Sequence, residues 1–109
     1  MTAVVTTVPF AWAEGLDSLD GRRVTQCALS RICGACGRPL GRPVAFVGTE
    51  AEVGRNAFHA PPLHLGCARE LQARRDDWRL VTTAGFEFVR PAREDADRRP
   101  TFQPNSRLS

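Results

Sequence analysis

Four residues have the types and spacing to hold a metal ion: Cys33 and Cys36, then, after 27 intervening residues, His64 and Cys67. Two residues separate the members of each pair, the gap that lets both side chains turn toward one ion. In the first pair, Gly34 and Gly37 permit the tight turn of a zinc knuckle, whose amide N–H groups aim at the sulfur of the first cysteine. In the second, positions 64 and 67 stand one turn apart on a helix, and the helix N-terminus favours thiolate charge. Three cysteines and one histidine close a tetrahedral zinc site with no position left for a catalytic water. The single Zn2+ then supplies folding energy rather than chemistry.

Other chemistry for these residues fails on context. Cys33-Gly34-Ala35-Cys36 has the length of a redox dithiol, but Gly37 and Pro39 follow where a helix would have to begin to lower a thiol pKa. Gly37 also occupies the place of the histidine required for c-type haem attachment. Cys27 would complete an all-cysteine set with Cys33, Cys36 and Cys67, suited to zinc or to an iron–sulfur cluster. It falls on an apolar helix position instead, where a buried free thiol is expected. His59 has no partner at the two-residue spacing and reads as a hairpin histidine.

The elements that must position the four ligands follow from periodicity. Leu19, Val24, Cys27, Ala28 and Ile32, with Asp20 as an N-cap, predict a short helix over residues 22–30. Residues 43–48 read as a strand, 48–56 as a polar loop, and 57–59 as the returning strand of a hairpin. Leu63, Cys67 and Leu71 at four-residue steps predict a helix over 63–77. Residues 79–83 and 86–90, around Ala84-Gly85, predict a second hairpin. The expected fold is a small α+β domain: a short helix, then a zinc-stapled core of knuckle, hairpin and helix, then a second hairpin.

A chain of 109 residues has room for one such domain, with a core small enough to benefit from a metal staple. Residues 1–16 read as an extended N-terminal arm whose aromatics dock on the body, 17–90 as the zinc-binding domain, and 91–109 as a disordered tail. No basic n-region opens the chain and no apolar stretch reaches the roughly 18 residues of a membrane span, so a soluble, cytoplasmic protein with no membrane partner is expected. In that compartment cysteines serve metal or core rather than disulfides.

The order knuckle, hairpin, helix over residues 32–77 resembles a treble-clef zinc finger. More narrowly, Cys33-Gly34-Ala35-Cys36-Gly37 and Pro61-Pro62-Leu63-His64-Leu65-Gly66-Cys67-Ala68 look like the zinc-binding segment of small actinobacterial and actinophage proteins. The all-arginine usage of basic residues fits that resemblance. It implies metal binding and brings no activity with it. Treble clefs also carry HNH-like nuclease sites, and Asn56 and His59 raise that reading, but with His64 committed to zinc too few ligands remain for a catalytic metal.

For recognition, the net charge of +3 permits nucleic-acid contact without demanding it. Arg69, Arg74 and Arg75 form the candidate nucleic-acid or partner-binding face on the second ligand helix, yet Glu70, Asp76 and Asp77 are interleaved with them. Another protein is therefore the expected partner, through an adaptor role. Weak nucleic-acid binding is the alternative, and no small-molecule substrate is evident.

Overall fold

The computed structural model describes residues 8–108, so residues 1–7 of the expected arm lie outside what it describes. Three helices and four strands follow in the order α1 (Gly21–Ser30), β1 (Val44–Gly48), α2 (Glu50–Arg55), α3 (Leu65–Ala73), β2 (Arg79–Thr83), β3 (Phe86–Val89) and β4 (Thr101–Pro104). The strands form two antiparallel two-stranded sheets, β1–β2 and β3–β4. Among the described residues no helix is long and apolar enough to cross a membrane.

Helix α1 begins as its sequence dictates. The Asp20 carboxylate accepts the N–H groups of Arg22 and Arg23, and Val24 and Cys27, one turn apart, face the core. It ends at Arg31, whose left-handed backbone (φ 52°) directs its N–H to the carbonyl of Cys27. The short apolar run of β1 is buried along its whole length because both edges are covered. On one side it pairs with β2, Phe46 opposite Val81, and on the other Ala45 exchanges two backbone hydrogen bonds with Leu63.

That arrangement corrects the expected hairpin. Residues 57–59 do not return along β1: Phe58 forms an isolated bridge with Phe102 of β4. The segment read as a polar loop contains α2, built on a capping box in which Thr49 and Glu52 satisfy one another's backbone N–H groups. The helix expected over 63–77 is shorter, because Leu63 is held as strand against Ala45 and the chain leaves the helix after Ala73.

The second hairpin is also absent. β2 and β3 adjoin in sequence but join different sheets, since the buried Thr83 hydroxyl donates to the Gly85 carbonyl and the Ala84 N–H turns to Ser106. β3 pairs instead with β4, which lies in the segment expected to be disordered. Phe102 explains why that segment folds: it is fully buried and packs its ring 5.0–5.9 Å from those of Phe46, Phe86 and Phe88. Beside this aromatic centre, Trp12 and Trp78 pack at 6.2 Å, so the described end of the arm does place an aromatic on the body.

Candidate metal centre

Two glycine-dependent contacts shape the first ligand pair. The knuckle closes through Cys33 N–H to the Arg38 carbonyl and Gly37 N–H to the Cys33 carbonyl, both at 2.8 Å, with Gly37 at φ +75°. Gly34 lies against the Pro61 ring, where a Cβ would come within 2.4 Å of Cγ, and donates its N–H to the Pro62 carbonyl. Pro61 and Pro62 are thereby locked on the knuckle, which sets His64 beside it. The arm adds a second clamp, since Phe10 and Ala11 donate backbone N–H groups to Ala35 and Gly34.

The second pair stands at the start of α3. His64 is the N-cap residue, and its side chain makes no cap hydrogen bond because the imidazole is turned toward the cysteines. Cys67 lies three residues later, on the same side of the first turn.

The ligand atoms of Cys33, Cys36, His64 and Cys67 all lie within 4.8 Å of one another. His64 Nδ1 is 3.4 Å from the Cys36 sulfur and 3.9 Å from that of Cys67. With Zn–S bonds of about 2.3 Å, the edges of a tetrahedral site are roughly 3.8 Å, so the two distances from Nδ1 are close to those between ligands of one ion. Orientation of the ring supports the same use. Nε2 is 2.9 Å from the Pro39 carbonyl, an acceptor only, so Nε2 carries the proton and the Nδ1 lone pair is left facing the sulfurs. The buried Cys33 sulfur accepts N–H groups from Ala35 and His64, as a thiolate ligand would.

Electrostatics mark the cluster as a place for a cation. Burial, and after it the charge of Cys33, push the Cys67 thiol up to about 12, so sulfur beside sulfur is unfavourable without a positive charge between them. Burial also acts against ionisation of Cys36, but hydrogen bonds from the Arg38 backbone and side chain and from Cys33 outweigh it and bring the thiol down to about 7. Three thiols and an imidazole turned toward them fit one metal ion.

Cys27 stands apart from the cluster. It is fully buried, outside the four-atom group, and burial pushes its thiol up to about 12, as for a core residue. His59 is likewise elsewhere: its Nδ1 donates to the Pro100 carbonyl, while Nε2 is 3.4 Å from Asp97. Asn56, which terminates α2, donates its amide to the Pro104 carbonyl.

The arginine face is only partly assembled. Arg69 and Arg74 are exposed, but Arg75 lies beyond the end of α3. Its guanidinium donates to Asp77, Asp17 and the Leu16 carbonyl and covers the Trp78 ring at 4.8 Å. Sequence spacing missed this role because Leu16 and Asp17 are some sixty positions away.

No protein-family model, curated protein or solved structure matches the chain.

Proposed function

We propose that the chain is a non-catalytic binding module whose fold is held by one zinc ion on Cys33, Cys36, His64 and Cys67, and that it acts as an adaptor contacting another protein. The single observation that carries the metal assignment is the His64 ring: Nε2 committed to Pro39, Nδ1 turned to the sulfurs. Four protein ligands fill a tetrahedral shell, which supports a structural rather than a catalytic ion. The knuckle followed by β1 and a helix carrying the second pair supports the treble-clef likeness, with β1 completed by the distant β2 rather than by a hairpin neighbour.

The adaptor reading over nucleic acid rests on Arg75. With its guanidinium engaged internally, Arg69 and Arg74 remain, and Glu70 lies between them. Two exposed cations beside a carboxylate make a weak phosphate-binding face. Titration of labelled duplex and single-stranded DNA and RNA at low salt should show no binding that Arg69→Gln with Arg74→Gln abolishes. Binding that falls steeply with salt and is lost in that double variant would move the assignment to nucleic acid.

A further inference from the structure

Away from the metal centre, the C-terminal segment and α2 enclose a cleft of about 480 Å3, within the range of small-ligand sites. Its walls bring together Arg55 from the last turn of α2, Arg90 just after β3, and Thr101 and Gln103 of β4. The two β4 residues share a face because they alternate with the buried Phe102 and Pro104. Among the described residues, the side chains of Arg55, Thr101 and Gln103 have no hydrogen-bond or ion-pair partner, and Arg90 is positioned over the Phe88 ring at 5.4 Å. Four side chains with spare donors thus converge on one concavity.

The acidic groups there are already engaged. Asp97 accepts two hydrogen bonds from the Arg99 guanidinium and faces His59, and Asp95 accepts the Ala92 N–H. Glu87 pairs with Gln103 across the strands but does not line the cleft. Three guanidiniums therefore stand against two committed carboxylates, and an anion is favoured. Planar guanidinium forks, an amide and a hydroxyl approaching from different walls suit an acceptor with several oxygens, as phosphate has. The volume exceeds that of a phosphate group alone, and Val89, Pro91 and Ala96 supply an apolar wall for the rest of a ligand.

We propose that this cleft binds a phosphate-bearing small molecule of nucleotide size, its phosphate held by Arg55 and Arg90 with Thr101 and Gln103. The test is calorimetric titration of the full, metal-loaded chain with inorganic phosphate, adenosine 5′-monophosphate and adenosine in separate runs. Saturable binding is expected for the monophosphate, weaker binding for phosphate, and none for adenosine. Arg55→Gln and Arg90→Gln should each weaken the monophosphate about tenfold or more, as for loss of one charge-assisted contact. Arg22→Gln, on α1 and outside the cleft, should bind as the parent does, and unchanged melting temperatures would show that the variants are folded. Absence of monophosphate binding, binding that both cleft variants leave intact, or adenosine binding equal to the monophosphate would overturn the proposal.

Discussion

At the scale of single residues, Cys27 and Cys67 show how the same side chain serves two purposes. Cys67 has three potential co-ligands within 4.8 Å, whereas Cys27 lies in apolar packing. Cys67→Ser should abolish stoichiometric zinc and unfold the region around the knuckle, read by elemental analysis and circular dichroism. Cys27→Ala should keep its zinc and lose about 1–2 kcal/mol of stability as a small core cavity opens. Equal zinc loss in the two variants would place Cys27 in the site. Gly34 is the other sensitive residue: a Cβ there would collide with the rigid Pro61 ring. Gly34→Ala should destabilise by about 1–3 kcal/mol through overpacking, seen as a lower melting temperature, and should weaken zinc retention because Pro61 and Pro62 position His64. The four-residue cluster is legible in the sequence because short spacing fixes local geometry. The Nε2 contact to Pro39 and the internal use of Arg75 were not, since both depend on chain segments brought together only by the fold.

Among the elements, α1 and β1 are legible from local signals. Asp20 and the Val24–Cys27 spacing specify α1, and the uninterrupted apolar run specifies β1. The strand partners were not legible, because pairing β1 with β2 rather than with 57–59 is decided by long-range burial and not by propensity. Two further local signals stand in the sequence. Thr49-x-x-Glu52 is a capping-box pattern that announces α2, and Thr101-Phe102-Gln103-Pro104 alternates outward and inward residues within a polar segment. β4 is therefore a structural strand, and Phe102→Ala should lower stability by about 3–5 kcal/mol, measured by denaturant unfolding. A change within about 0.5 kcal/mol, the size usual for a surface substitution, would mean that the C-terminal segment does not pack on Phe46.

For the whole molecule, two unlike devices meet in one small core. Aromatic packing of Phe46, Phe58 and Phe102 joins the sheets, while the knuckle and α3 are tied by ligands from opposite ends of a long intervening segment. A metal ion there closes a loop of about thirty residues, and in a domain of this size such a staple contributes a substantial part of the folding free energy. The measurement that tests this most directly is X-ray absorption spectroscopy of the purified protein at the zinc edge, together with its metal content. The account predicts one zinc per chain with three sulfur ligands at about 2.3 Å and one imidazole nitrogen at about 2.0 Å. Iron in place of zinc, a fourth sulfur drawn from Cys27, or a shell completed by water oxygen would contradict it.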